Sequence, residues 1–256
     1  MNYDDQGHGP PVLMIPGLGG TAESFEPQAQ VLRRTFRIIR PDLPGTGQAR
    51  ASGACALDEI VEDLADLARS LESGPVHWVG HSLGSLLSRQ VALRHPDMVA
   101  SLSLIGPVWL VCEGMRAGLV KRAQRVRSKG MAEFVEEYLR SALSKSTASV
   151  HPAAMQQVRN ALLDTVPEVY ASYCEALAYH SPIETPPLAT PTLLLTGDED
   201  LVAPPSAVRL MAASFLQPTL RELESCGHWA TLEAPENVTV LLLSHLVASA
   251  ARLPVA

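Results

Sequence analysis

Short apolar runs rich in β-branched residues alternate with longer amphipathic stretches along most of this chain. The clearest helix is predicted at 57–71, where leucine or isoleucine recurs every three or four residues and acidic side chains occupy the opposite side. Further helices are predicted at 25–34, 83–95, 205–214 and 235–250, and strands at 12–15, 36–39, 76–79, 99–105, 192–196 and 219–223. This alternation is typical of βαβ units and predicts a mostly parallel sheet flanked by helices.

The middle of the chain breaks the alternation. Between Pro107 and Pro187, helical stretches at 115–128, 131–143 and 152–163 follow one another without a strand. We therefore predict an α/β core built from residues 1–106 and 186–256, with a helical cap inserted at 107–185. A chain of 256 residues is long enough for one sizeable core and short for two complete domains.

A candidate nucleophile stands between the strand predicted at 76–79 and the helix that follows it. Residues 80–84 read Gly-His-Ser-Leu-Gly, the Gly-x-Ser-x-Gly pattern of a nucleophile elbow. Gly80 and Gly84 permit the tight turn because side chains there would collide with neighbouring backbone. The N-terminus of the helix directs its N–H groups and positive dipole toward Ser82, which favours a developing oxyanion. His81 is predicted to pack inside the elbow.

A serine nucleophile needs a neighbouring base, and that base needs a third group to orient it. Two aspartates, Asp198 and Asp200, follow the strand predicted at 192–196, and His228 follows the strand predicted at 219–223. The order serine, aspartate, histidine is that of the α/β-hydrolase class and differs from the orders found in chymotrypsin and subtilisin.

With these motifs in combination, nearly all of the chain outside the predicted cap resembles the α/β-hydrolase superfamily of serine hydrolases. Residues 16–20 (Pro-Gly-Leu-Gly-Gly) are similar to the family's oxyanion loop, 42–47 (Asp-Leu-Pro-Gly-Thr-Gly) to its Asp-x-Pro-Gly-x-Gly turn, and 197–200 (Gly-Asp-Glu-Asp) to its Gly-x-x-Asp acid turn. The cap is loosely similar to the enol-lactonase and small-molecule carboxylesterase branch. The resemblance implies the α/β-hydrolase fold. Because few residues precede Val12, we expect the first antiparallel strand of the usual eight-stranded sheet to be missing or short.

The resemblance also implies catalytic roles. Ser82 would attack the substrate, and His228 would act as general base and then as general acid. Asp200 would orient His228, because it stands three residues after the glycine as in the family, and Asp198 remains the alternative acid.

The oxyanion hole implied by the resemblance consists of the main-chain N–H groups of Leu18 and Leu83. Many relatives begin the oxyanion loop with His-Gly, whereas this chain has Pro16 before the glycine. Whatever that histidine side chain stabilises must therefore be supplied differently here, although the backbone donor of Leu18 does not depend on it.

These residues predict a cofactor-independent serine hydrolase that cleaves a small ester or lactone through an acyl-enzyme. The same triad also supports cleavage of a carbon–carbon bond, acyl transfer to an acceptor other than water, or perhydrolysis. A further alternative is a ligand receptor on this fold that turns over slowly and signals through movement of the cap. Rapid multiple turnover would exclude the receptor.

Side chains of the cap and of the histidine loop are candidates for binding the substrate, although a core role is equally compatible with each aromatic residue. The candidates are Trp109, Met115, Tyr138, Tyr173, Trp229, Arg122 and Arg125.

The run 116–129 holds six basic residues and no acidic one, within a chain of formal net charge −7. Such a run is usually a solvated helix face. The alternative is that one of its cations pairs with a carboxylate of the substrate.

Composition and charge exclude other classes of function. With 20 Lys and Arg against 27 Asp and Glu, the chain lacks the basic patch expected of a nucleic-acid-binding protein. The N-terminal residues do not read as a secretory signal, and the apolar stretch 238–251 is too short and too interrupted to span a membrane. Four dispersed cysteines predict reduced thiols in a cytoplasmic protein. Neither a metal site nor a nucleotide cofactor is predicted, and the sequence does not indicate an oligomeric state.

Overall fold

The computed structural model describes residues 1–49, 56–109, 111–180 and 186–252. Among these residues, seven strands form one sheet in the order β1-β3-β2-β4-β5-β6-β7. The strands are β1 (Tyr3–Gln6), β2 (Pro11–Ile15), β3 (Arg37–Pro41), β4 (Val76–His81), β5 (Val99–Ile105), β6 (Thr192–Gly197) and β7 (Pro218–Leu223). Outside the described part of the chain lie Cys55, residue 185 at the end of the predicted cap, and the C-terminal residues 253–256.

The sheet is parallel except at one edge. β1 pairs antiparallel with β3, and every other pairing is parallel. The mostly parallel sheet is confirmed, and so is the short antiparallel strand, which is four residues long. Strands β2, β4, β5 and β6 are buried along their whole length, as expected of strands covered by helices on both faces.

The helices that flank the sheet match the predicted ones closely. Outside the middle segment they are α1 (Glu26–Leu32), α2 (Leu57–Ser70), α3 (Leu83–Arg94), α9 (Pro205–Ala212), α10 (Ala230–Glu233) and α11 (Pro235–Ala250), with short 3₁₀ turns at Ala22–Phe25 and Pro96–Met98. In the part of the chain that the structure describes, no helix is long and apolar enough to cross a membrane. The late apolar stretch instead forms α11, whose Val238, Leu242 and Leu246 are fully buried.

Alternate side chains of the buried strands enter two separate cores. Leu13 and Ile15 of β2 join the core under α2, α3 and α9, whereas Val12 and Met14 of the same strand join the core under α1 and α11. This division follows from the two-residue period of a strand, because successive side chains point to opposite faces of the sheet.

Among the described residues between β5 and β6, five helices form what we call the helical insertion. They are α4 (Glu113–Lys129), α5 (Met131–Ala142), α6 (Thr147–Val150), α7 (Pro152–Asp164) and α8 (Pro167–Ala178). The sequence pattern does not predict α8, since its residues from Val169 to Cys174 are all buried and therefore show no amphipathic period. The buried side chains of the insertion belong to the same core as those of α2 and α3.

Candidate active site

Ser82 occupies a strained turn between β4 and α3. Its backbone has φ +51° and ψ −113°, and its N–H donates to the carbonyl of Ile105 over 2.9 Å. A Cβ added to Gly80 would lie 2.3 Å from the carbonyl oxygen of Gly84, and one added to Gly84 would lie 2.0 Å from that of Ile15. Both glycines are therefore required by close backbone contacts, and the turn has the geometry of a nucleophile elbow.

The structure brings Ser82, His228 and Asp200 together from three strand ends. The His228 Nε2 atom is 2.9 Å from the Ser82 Oγ, and its Nδ1 atom is 2.8 Å from the Asp200 Oδ2. Ser82 is 9% exposed, and His228 and Asp200 are each 1% exposed. A hydrogen-bonded chain of hydroxyl, imidazole and carboxylate in a buried site is the arrangement that activates a serine hydroxyl.

Asp200, and not Asp198, contacts the histidine. The second Asp200 oxygen accepts hydrogen bonds from the backbone N–H groups of Val202 and Ala203, each at 2.8 Å. Burial alone raises the pKa of Asp200, but the adjacent imidazole and the hydrogen bonds that the carboxylate accepts outweigh burial and hold the pKa below its usual range. Asp198 instead accepts the N–H of Cys226 over 3.1 Å.

Two backbone N–H groups border the position that a substrate carbonyl would take. Leu83 follows Ser82 at the start of α3, and Leu18 lines the same cavity as Ser82. The loop that carries Leu18 runs directly over the serine, because a Cβ on Gly17 would lie 3.0 Å from the Ser82 Cβ. Within the described ranges, neither of these N–H groups donates to another protein atom. Both are therefore available to a ligand oxygen.

A cavity of about 350 Å³ opens onto Ser82 and His228 from beneath the helical insertion. Three of the residues predicted to bind substrate line it, namely Met115, Arg122 and Tyr138. Its remaining lining is largely apolar, with Leu18, Val108, Gly118, Leu119, Ser141, Tyr170, Leu177, Leu201 and Val202. A cavity of this size and lining suits a small molecule with an apolar portion.

Comparison with known proteins identifies the family of this chain. The family model of the alpha/beta hydrolase fold matches residues 10–235. The chain belongs to this family.

Relatives of this α/β hydrolase include enzymes for different small molecules. The (E)-2-((N-methylformamido)methylene)succinate hydrolase of Acinetobacter baylyi is 27% identical, over 93% of this chain and 90% of that protein. The structure of a thermophilic esterase from Thermogutta terrifontis with malate bound superposes with a TM-score of 0.90 at 28% identity, covering 97% of this chain and 93% of the other. The enol-lactonase of Burkholderia xenovorans gives a TM-score of 0.85 at 23% identity, covering 96% of each chain, and this likeness concerns the fold.

His81 packs inside the elbow of this α/β hydrolase, as predicted, and makes a hydrogen bond that the sequence did not indicate. It packs at 5.0 Å from the His228 ring and 5.1 Å from the Trp229 ring, measured between centroids, and its Nε2–H donates to the carbonyl of His228 over 2.8 Å. Burial, reinforced by the neighbouring His228, lowers the pKa of His81 to about 3. The neutral imidazole therefore holds the backbone of the histidine loop as well as filling space.

Glu233 is a second residue that sequence reasoning missed. Its buried carboxylate accepts hydrogen bonds from the N–H groups of Gly227 (3.2 Å) and Trp229 (2.9 Å), which flank His228. It also accepts the N–H of Ser144 (2.7 Å) and the hydroxyl of Thr147 (2.5 Å) from the helical insertion. The available signal was a single acidic residue within the apolar run that follows His228.

Gly106 at the end of β5 provides the space for the imidazole and the carboxylate. Its φ is +51°, and an added Cβ would lie 3.0 Å from two atoms of the His228 ring and 3.3 Å from the Asp200 Oδ2. The sequence marked this glycine only as the end of a strand, because its contacts come from residues far along the chain.

Four residues predicted to bind substrate lie outside the cavity. Trp109 packs partly buried against the core, and the Tyr173 hydroxyl donates to the carbonyl of Pro44 over 3.1 Å. The Trp229 indole N–H donates to the Tyr138 hydroxyl over 3.1 Å, so Trp229 supports the cavity wall from behind. Arg125 lines an adjoining cavity of about 200 Å³ and forms an ion pair with Glu137.

Proposed function

We propose that this α/β hydrolase is a cofactor-independent serine hydrolase that cleaves a small ester or lactone through an acyl-enzyme. The observation that carries the proposal is the continuous hydrogen-bonded chain from Ser82 through His228 to Asp200, which ends at a cavity large enough for a small molecule. The names of two relatives support small acyl compounds as substrates, since one is an esterase and the other a hydrolase of a succinate derivative.

In the proposed reaction, the Ser82 Oγ attacks the substrate carbonyl while its proton passes to the His228 Nε2. The N–H groups of Leu18 and Leu83 hold the oxygen of the tetrahedral intermediate. The intermediate expels the alkoxide, which takes the proton from His228. In a lactone, the resulting alcohol stays tethered to the acyl group. Water then attacks the acyl-enzyme with His228 as base, and Ser82 is regenerated with the carboxylic acid as product.

Asp200 orients His228 in this scheme and stabilises the imidazolium that forms in each half-reaction. The hydrogen bonds from Val202 and Ala203 keep the carboxylate ionised and fix its second oxygen. The helical insertion serves as the cap, since residues of α4, α5 and α8 line the cavity on the side away from Ser82. Residues 1–106 and 186–256 then form the catalytic core, and 107–185 covers it.

Replacing Ser82 by alanine tests the proposal. We expect Ser82→Ala to lower kcat for 4-nitrophenyl butyrate by about 10⁶-fold, because the nucleophile is lost while binding remains. Ser88→Ala is the matched control, since the Ser88 hydroxyl is buried on the same helix and donates only to the Gly84 carbonyl. The second measurement is mass spectrometry after treatment with a fluorophosphonate, which should label Ser82 in the wild type. Undiminished hydrolysis by Ser82→Ala would overturn the proposal.

A further inference from the structure

Arg122 stands where two cavities meet inside the helical insertion. It lines the cavity that contains Ser82 and His228, and it also lines the adjoining cavity of about 200 Å³. Gly118, Tyr138 and Ser141 border both spaces as well. Among the described residues that line the first cavity, Arg122 is the one arginine or lysine, so its guanidinium is the cationic group that a molecule seated on Ser82 would meet.

The neighbours of Arg122 are aromatic. Its guanidinium carbon lies 5.4 Å from the centre of the Phe134 ring and 5.6 Å from that of Tyr138, and the group also interacts with the Tyr170 hydroxyl. Both phenols are neutral at pH 7, since burial raises the pKa of Tyr138 to about 12 and that of Tyr170 well above its usual value. In the described part of the chain, no carboxylate forms an ion pair with Arg122.

Three other cations of α4 contrast with Arg122 because carboxylates neutralise them. Arg125 pairs with Glu137, Arg127 with Glu168 (2.8 Å) and Glu175, and Lys129 with Glu133 (3.1 Å). The two remaining cations, Arg116 and Lys121, are exposed to solvent, and Lys121 also borders the adjoining cavity. Glu137, the one acidic residue among the described residues that line the adjoining cavity, is already bound to Arg125. These pairs join α4 to its neighbouring helices, as the solvated-face interpretation of the basic run predicts, whereas Arg122 does not fit that interpretation.

A guanidinium withdrawn from water without a counter-charge is unfavourable, and cation–π contacts replace only part of its hydration. A carboxylate in the cavity would supply the missing charge and two hydrogen bonds in the forked geometry that arginine matches. We propose that Arg122 binds a carboxylate of the substrate, so that the natural substrate is an ester or lactone that carries a free carboxylate apart from its scissile carbonyl. This inference rests on the proposed function and adds the substrate class to it.

A matched pair of substrates tests the inference on the wild-type enzyme. The mono-4-nitrophenyl ester of adipic acid carries the carboxylate, and methyl 4-nitrophenyl adipate presents the same chain with the charge blocked. We expect kcat/KM to be at least about tenfold higher for the acid. A charge-assisted hydrogen-bonded pair between Arg122 and the carboxylate strengthens binding by at least that factor. Adipate itself should inhibit hydrolysis of the neutral ester competitively.

Variants of Arg122 identify the group responsible. Arg122→Met should lower the ratio of kcat/KM for the acid to that for the neutral ester by about tenfold or more and abolish inhibition by adipate. Arg122→Lys should give an intermediate ratio, because it keeps the charge and loses the fork. Lys129→Met, which removes one positive charge from an exposed position of the same helix, should leave the ratio unchanged.

Equal kcat/KM for the two esters in the wild type would overturn the carboxylate subsite, and so would an Arg122→Met variant that keeps the wild-type ratio. If Arg122→Met fails to fold, the substrate pair and the inhibition by adipate decide the matter on the wild type alone. Failure of the proposed function is distinct, since the wild type would then hydrolyse neither ester and the fluorophosphonate would leave Ser82 unlabelled.

Discussion

Two aspartates of the same turn hold different partners in this hydrolase. Asp200 contacts the imidazole of His228, whereas Asp198 contacts the backbone N–H of Cys226. The two aspartates occupy different positions of the turn after β6, so that one carboxylate reaches the imidazole and the other reaches the loop leading to His228. Residues two positions apart are therefore not interchangeable here.

Substituting each aspartate by asparagine should separate these roles. We expect Asp200→Asn to lower kcat by about 10³–10⁴, because the amide no longer stabilises the imidazolium or selects its tautomer. Asp198→Asn keeps an oxygen that can accept the Cys226 N–H and should change kcat by less than about tenfold. Steady-state hydrolysis of 4-nitrophenyl butyrate measures both. Equal losses in the two variants would contradict the assignment of Asp200 as the orienting acid.

At the scale of elements, the loop that carries His228 is held by groups from three parts of the fold. His81 at the end of β4 donates to its backbone carbonyl, and the carbonyl of Ala142 at the end of α5 accepts the His228 N–H over 2.7 Å. Glu233 on α10 binds the N–H groups on both sides of the histidine and also binds the helical insertion. The position of the imidazole therefore depends on how the insertion and the core pack together.

Glu233→Gln should disturb this arrangement, since the amide brings two donors to a site that already contains four donors. We expect the free energy of unfolding to fall by about 1–3 kcal/mol and kcat to fall by roughly tenfold or more as the imidazole shifts. Urea denaturation and ester hydrolysis measure the two effects. Glu236→Gln, an exposed acidic position on α11, is the control. A variant with wild-type stability and rate would show that the carboxylate is dispensable.

At the scale of the whole molecule, two further histidines lie away from the active site, one fully buried and one half-buried. His77 on β4 is fully buried, with its Nδ1 atom 2.8 Å from the Ser101 hydroxyl and its ring edge-on to Phe36. Burial, reinforced by the nearby His245, lowers the pKa of His77 to about 4. Burial likewise lowers the pKa of His245. Both side chains are therefore neutral in the folded protein at pH 7.

These histidines predict a loss of stability in acid. The unfolded chain binds a proton at each histidine near pH 6.5, whereas folded His77 binds one only near pH 4, so the unfolded state takes up more protons as the pH falls between these values. Stability should thus be unaffected by His77 above about pH 7 and should decrease by at most about 3 kcal/mol by pH 4. The 2.5-unit difference in pKa, at about 1.4 kcal/mol for each unit, sets a full loss of about 3.5 kcal/mol, of which about 3 kcal/mol is reached by pH 4, where folded His77 is half protonated.

Urea denaturation between pH 7.5 and pH 4.5 measures this effect. The His77→Gln variant should show a shallower dependence of unfolding free energy on pH than the wild type, whatever its stability at pH 7.5. His8→Gln, at an exposed position, should keep the wild-type slope. Parallel curves for the wild type and His77→Gln would contradict the prediction.

Much of the fold was predictable because its signals are local. The strand at Val99–Ile105 and the helix at Pro235–Ala250 have the predicted bounds, and the other strands and amphipathic helices differ by a few residues at their ends. Helix α8 was missed because it is buried on several sides, and the position of β1 was not predicted because its four residues are mostly polar, although its short length was expected. The alternation of apolar and polar residues indicates a helix or strand only where one face of that helix or strand is exposed.

The sequence by itself determined the order of elements, the tight turn that carries Ser82, and the acid turn and histidine that follow later strands. These features depend on neighbouring residues, because the spacing of apolar residues along a helix or strand and the residue types required by a tight turn are set within a few positions. Only the tertiary structure decided that Asp200 rather than Asp198 contacts His228, that Arg122 lines the cavity while Tyr173 and Trp229 lie outside it, and that Glu233 braces the histidine loop. Those outcomes depend on distances between residues up to about 150 positions apart, and such distances are set by how the strands and the insertion pack.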